Sequence, residues 1–109
     1  MNLVIIESPY AGNVDLNTAY ARECMKDSLD RGEAPFAPHL LYTQVLDDKS
    51  PAERERGIFA GHEWLRRADL VAVYTDRGIS QGILEGIAAA LLADKYVEAR
   101  RLYGKEDTP

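Results

Sequence analysis

The chain has 109 residues, 46% of them hydrophobic and 28% charged, with a formal net charge of −5. That length gives one domain with a modest core, and the hydrophobic share excludes an intrinsically disordered chain. The acidic balance excludes broad binding to nucleic-acid polymers or anionic membranes, both of which reward clustered Lys and Arg, but leaves room for a local pocket holding one nucleotide.

Leu3 to Ile6 is an apolar run ended by Glu7-Ser8-Pro9, a first strand passing into a loop, and Tyr10-Ala11-Gly12-Asn13 is turn chemistry. A helix is expected from Val14–Asn17 to about Asp30, with Leu16, Ala19, Tyr20, Cys24 and Leu29 at helical spacing and Gly32 just past its end. Ala34 to Leu41 reads as a second strand, broken by Pro35 and Pro38 and therefore short and near a sheet edge. Ser50-Pro51-Ala52-Glu53 is a helix start with Ser as N-cap, Pro at the first helical position and Glu at the third. That helix should reach Arg67, with Ile58, Ala60, Gly61, Trp64 and Leu65 inward. Leu70 to Thr75 reads as a third strand, Ser80 to Ala93 as a third long helix, and Tyr96 to Leu102 as a last strand. Alternating strands and helices give a small doubly wound α/β domain over residues 1–103, with three layers and a mainly parallel sheet of about four strands. Residues 104–109 read as a polar tail.

The lone cysteine, Cys24, allows no intrachain disulfide and no common zinc arrangement, and it fits a cytoplasmic setting. Cys24 itself reads as a small hydrophobe in a helix. The N-terminus has neither the basic region nor the long apolar region of a signal peptide, and no apolar run approaches a membrane span. Neither a metal nor a cofactor is expected.

The chemistry should collect where the loops after the first and third strands meet, at the carboxyl ends of parallel strands. The first loop offers Ser8, Tyr10, Gly12 and Asn13; the second offers Asp76, Gly78, Ser80 and Gly82. Ser80 stands at a helix N-terminus, where unpaired N–H groups and the helix dipole favour an anion. The same serine serves as an ordinary helix cap, and the two roles are compatible. The string Gly78-Ile79-Ser80-Gln81-Gly82 has the form of a hydrolase nucleophile elbow, but the chain is too short for that fold and has only His39 and His62 as bases. Glu85, one turn into the third long helix, reads first as a solvent-facing glutamate well placed on the dipole, with nucleophile or general base as the alternative. His39 reads as structural, with a place at the pocket mouth as the alternative. His62 reads as a surface or packing residue, Asp47-Asp48 as a solvated turn, and Arg54, Arg56, Arg66 and Arg67 as a solvated helix face.

Trp64-Leu65-x-x-Ala68-Asp69-Leu70-Val71-Ala72-Val73, then Ser80-x-Gly82, then Gly86-x-Ala88, resembles the nucleoside 2-deoxyribosyltransferase-like superfamily. Glu7-Ser8-Pro9-Tyr10-Ala11-Gly12 is similar to that group's substrate loop. His39-Leu40-Leu41-Tyr42-Thr43 and Asp76-x-Gly78-Ile79-Ser80-x-Gly82 look most like a branch of short chains from bacteria and their phages. The resemblance implies a flavodoxin-like (Rossmann-like) sheet with a nucleoside or nucleotide in its cleft and subunits paired in an oligomer. It implies Ser80 on a 5′-phosphate and Tyr10 and Gly12 on base and sugar. It also implies a catalytic glutamate two residues after Gly82, where this chain has Leu84 instead. The nearest carboxylate, Glu85, is about 100° further round the helix and is expected to point elsewhere. The expected function is therefore nucleotide binding, with sequestration rather than cleavage of the ligand. The alternatives are an N-glycosidase or deoxyribosyltransferase using Glu85 or Asp76, and a regulatory partner with a vestigial pocket.

Overall fold

The computed structural model describes residues 1–103; the tail expected at 104–109 lies outside the described residues. In chain order the elements are β1 (Leu3–Glu7), α1 (Val14–Asp30), β2 (Ala34–Phe36), α2 (Pro38–Leu41), α3 (Pro51–Arg67), β3 (Leu70–Tyr74), α4 (Gln81–Leu92) and β4 (Tyr96–Arg100). A 3-10 turn over Tyr42–Gln44 follows α2. The four strands form one parallel sheet in the order β2-β1-β3-β4, so the two most apolar strands are neighbours at its centre.

Side chains alternate across the sheet, and two cores result. Val4, Ile6, Ala72 and Tyr74 pack with Tyr20 and Cys24 of α1. Ile5, Val71 and Val73 pack on the opposite face with Leu65 of α3 and Ile83 and Ala90 of α4. The domain is thus three-layered, with helices on both faces of a parallel sheet, as its α/β patterning leads one to expect.

The helix caps follow the sequence closely. Asn13 accepts from Leu16 N, Ser50 from Glu53 N and Ser80 from Ile83 N, each satisfying a backbone donor that the helix leaves unpaired. The second strand departs from expectation. It ends at Phe36, and Pro38–Leu41 is a helical turn with Pro38 in its first turn. The same proline that weakens a strand suits the first turn of a helix, because its missing N–H has no partner there anyway.

The inner face of α1 also differs from the apolar spacing. Leu16 and Leu29 are exposed, whereas Asn17, Tyr20, Ala21, Cys24, Asp27 and Ser28 are buried. Polar burial on this face is explained by a network. Arg100 is buried at the end of β4 and donates to both oxygens of Glu33, at 2.8 and 2.7 Å, and to Glu98. Ser28 donates to Glu33 at 2.7 Å, and Tyr74 donates to Asp27 at 2.7 Å. Hydrogen bonding from Arg100 holds the Glu33 carboxyl below its ordinary range. Trp64, expected inward on α3, is half exposed; it packs on Phe36 and donates to the Tyr42 hydroxyl at 2.8 Å.

Arg100→Ala should cost about 3 kcal/mol or more, because it strands Glu33 in a partly buried site. Because the Glu33 pKa is lowered by folding, its contribution is present above the ordinary carboxylate range and is lost as pH falls through the folded-state value. Urea unfolding at several acidic pH values should show that acid-side loss in the wild type and its attenuation in Arg100→Ala.

Candidate functional site

A cavity of about 510 Å³ opens over the carboxyl end of β1, between the α2–α3 side and the head of α4. This is a size typical of small-molecule sites. Its apolar floor includes Ile5, Leu65 and Ile83, and Ser80, Gln81 and Gly82 bring the N-terminus of α4 to its edge. Ser80 Oγ is engaged as the cap, 3.2 Å from Ile83 N.

Two residues at the end of β1 dominate the polar wall. Ser8 is buried, and its Oγ is hydrogen-bonded to His39 Nε2 at 2.7 Å. Burial lowers the His39 pKa to about 4, so the ring is neutral at physiological pH. Pro38 starts the helical turn that carries His39, and Thr43 Oγ1 donates back to the His39 carbonyl at 2.8 Å. Both His39 and Ser8 line the cavity.

Glu7 also lines it. The register of β1 sends Glu7 to the same face as Ile5, under α4. Room for its carboxyl exists because residue 86 is glycine: a Cβ built there would stand 2.7 Å from Glu7 Cδ. The carboxyl makes no hydrogen bond or ion pair with another described residue. Burial pushes its pKa from 4.5 up to about 8, since taking a charge out of water disfavours the ionised form.

Of the residues expected at the site, Ser8, Tyr10, Ser80, Gly82 and Glu85 line the cavity. Gly12, Asn13, Gly78 and Asp76 do not. Gly12 and Gly78 have positive φ, +98° and +84°, and shape the two turns. Asn13 is occupied as the cap of α1. Asn17, which caps nothing, holds the first loop by donating to the Tyr10 and Ala11 carbonyls at 3.1 and 3.0 Å. The Asp76 carboxylate accepts from Tyr20 Oη at 2.7 Å, Leu102 N at 2.8 Å and Tyr103 N at 3.0 Å. Burial alone would raise its pKa, but these donors outweigh burial and leave it lowered. Asp76 thus ties the end of β3 to the chain beyond β4 and to α1.

Glu85, expected to point elsewhere, is among the residues that line the cavity, while Leu84 is 51% exposed and lies outside the lining. His62, expected as a surface or packing residue, and Arg54, expected on a solvated helix face, also line it, and Asp48 stands 3.7 Å from Arg54. Glu7 was not singled out from sequence. Its signal was a carboxylate in phase with the inward residue Ile5, facing a glycine about one and a half turns into α4.

Among the described residues no group of three or more His, Cys, Asp and Glu is arranged to hold a metal ion. No helix among them is long and apolar enough to cross a membrane.

The chain belongs to the family described as "Domain of unknown function (DUF7768)", whose model matches residues 2–100. No curated protein sequence matches it. A solved structure of a 2-deoxyribosyltransferase from the psychrotolerant bacterium Bacillus psychrosaccharolyticus is similar in fold, with a TM-score of 0.73 at 16% identity. The alignment covers 94% of this chain and 74% of that one. The α/β architecture is therefore shared with a deoxyribosyltransferase.

Glu7→Gln should change stability with a definite sign. Folding raises the Glu7 pKa, so the folded state holds a proton that the unfolded chain releases, and wild-type stability falls as pH rises from about 4.5 to about 8. Glu7→Gln should remove that decline and be more stable than wild type by a few kcal/mol at pH 8 to 9. Denaturant unfolding across pH 5 to 9 measures it; parallel curves for the two proteins would contradict the burial of this carboxyl.

Proposed function

We propose that the cavity binds a nucleoside or a nucleoside monophosphate, with its phosphate end toward Ser80. The observation that carries this reading is the union, in one cavity of about 510 Å³, of apolar lining residues and the N-terminus of α4. Helix N-termini favour phosphate, and open parallel sheets take ligands at the carboxyl ends of their strands. The deoxyribosyltransferase named above, a biocatalyst for nucleoside synthesis, is fold-level support only, since one fold hosts many activities. Charge limits the ligand. The cavity is lined by the carboxylates Asp48, Glu53 and Glu85 and by the neutral carboxyl of Glu7, against Arg54 as its one cation among the described residues. A di- or triphosphate would meet more like charge than opposite charge. Ser8, Tyr10 and Gly82 are the further binding residues of this reading, while Gly12, Asn13 and Gly78 serve it by shaping the loops. A chain of this kind sequesters its ligand.

A second reading is favoured by one observation: two carboxyl groups, Glu7 and Glu85, line the same cavity. N-glycosidic cleavage uses such a pair, one as acid toward the leaving base and one at the anomeric carbon. Asp76, fully engaged elsewhere, has no part in it.

Pairing of two copies is also part of the proposal. Leu84, Ala88 and Leu91 recur along α4 at helical spacing; Leu84 is 51% exposed and Leu91 63% exposed. Exposed apolar stripes of this kind mark interaction surfaces. Sedimentation velocity should show a dimer that Leu91→Glu converts to monomer.

Calorimetric titration tests the binding reading. Adenosine 5′-monophosphate should bind more tightly than adenosine, and the triphosphate no more tightly than the monophosphate. Ser80→Ala should reduce the monophosphate's advantage while costing about 1 kcal/mol of stability through the lost cap. Equal loss for both ligands in a folded variant counts against a phosphate at α4. Chromatography for free base separates the two readings: release that Glu85→Gln abolishes with binding intact establishes the glycosidase.

A further inference from the structure

Glu7 differs from every other acid of the cavity in its surroundings. Its carboxyl rests in the notch that Gly86 leaves in α4, where any side chain at that position would displace it. It forms no ion pair or hydrogen bond with another described residue. The other charged and titratable groups that line the cavity are Glu85 from α4, His39 from α2, Glu53, Arg54 and His62 from α3, and Asp48, with the Tyr10 and Tyr42 hydroxyls. Arg54 is drawn to Asp48 at 3.7 Å, and His39 is neutral and bound to Ser8. No cation therefore offsets the charge that Glu7 would carry, and burial keeps it protonated to about pH 8.

A protonated carboxyl has an O–H donor and a C=O acceptor side by side, whereas a carboxylate has acceptors only. Beside Glu7 the cavity wall is apolar, with Ile5 and Ile83. A flat heterocycle fits such a wall, and a two-point donor–acceptor group fits its edge.

We propose that Glu7, seated in the Gly86 notch, is the base-reading residue of the cavity: its carboxyl pairs with the donor–acceptor edge of a nucleobase. The inference rests on the nucleoside reading above and deepens it. It assigns the heterocycle to the β1 end of the cavity and the phosphate to the α4 end. Above pH 8 the carboxyl ionises, loses its donor and repels the acceptor nitrogen of the base, so binding weakens. Glutamine has the same shape and keeps both a donor and an acceptor at every pH.

The test is calorimetric titration of adenosine and cytidine, neither of which ionises in the range used, between pH 7.0 and 9.5. Ribose 5-phosphate serves as the base-free probe. For the wild type the dissociation constant should rise about thirtyfold over this range, the loss expected when a group titrating near 8 must be neutral to bind. Glu7→Gln should bind with a flat profile. Gly86→Ala, which displaces the carboxyl rather than removing it, should weaken adenosine at least tenfold and leave ribose 5-phosphate unchanged. A flat wild-type profile, or the same decline in Glu7→Gln, overturns the role of Glu7 and leaves the nucleoside reading standing. Binding of ribose 5-phosphate without any nucleoside also overturns it and leaves only the phosphate site. Failure of adenosine, cytidine, adenosine 5′-monophosphate and ribose 5-phosphate alike overturns both.

Discussion

The register between β1 and β3 is the constraint on which the rest of the domain depends. Val4 pairs with Leu70 and Glu7 with Val73, and the side-chain period of a strand is two. That phase sends Val4 and Ile6 to the α1 core and Ile5 to the α3–α4 core. It also sends Glu7 under Gly86. A slip of one residue would reverse every one of these assignments, driving Glu7 into the layer that holds Tyr20 and Cys24 and pulling Val4 and Ile6 out of it. Both strands are flanked by hydrogen-bonded neighbours, so neither central strand has a free edge along which to slip.

A chain this short has little core to spare, and it places two ionisable devices in that core with opposite effects. On the α1 face, Arg100 meets Glu33 in a bidentate pair with Glu98 and Tyr74 at hand. Partners of opposite charge keep Glu33 ionised, so that carboxyl contributes stability at neutral pH. On the α4 face, Glu7 has no such partner, and its burial detracts from stability as pH rises toward 8. The Arg100 cluster is a structural solution to burying charge; Glu7 is not solved within the fold. Strongly perturbed groups in a cleft are candidates for functional chemistry, and under the proposed reading a ligand that hydrogen-bonds the neutral carboxyl supplies the partner that the fold does not.

Much of the fold was legible because local chemistry and long-range packing agree. The Ser50-Pro51-x-Glu53 start of α3 and the Ser80 cap of α4 fall where their hydrogen bonds put them. Pro38 was misread because proline signals both a sheet edge and a first helical turn, and only the packing of α2 against α3 decides between them. On α1, apolar periodicity failed because the buried face carries Asn17, Asp27 and Ser28, which are held by side-chain partners, among them the distant Arg77 on Asn17 and Tyr74 on Asp27. The site was half legible. Ser8, Tyr10, Ser80, Gly82 and Glu85 come together at the cavity, whereas Asp76 and Asn13 looked chemical and are engaged in holding the chain. Glu7 escaped notice because a glutamate closing a strand reads as the step into solvent. Its meaning depends on a glycine 79 positions later, a separation no local pattern spans.

The head of α4 shows why the chemistry has to be argued from this chain and not from a shared fold. In the superfamily the sequence resembles, the expected glutamate position is Leu84 here, and Leu84 faces outward. The carboxyl groups that do line it arrive from elsewhere, Glu85 from the next position of α4 and Glu7 from the end of β1. Glu7 can approach α4 only because Gly86 is bare, so the strand end and the helix glycine form one unit. At 16% identity the backbone likeness shows the fold alone and leaves open which groups would meet a ligand. In this chain the cavity holds a neutral acid, a neutral histidine tied to serine, and a helix N-terminus, the set on which the proposed recognition of an uncharged heterocycle and a single anion rests.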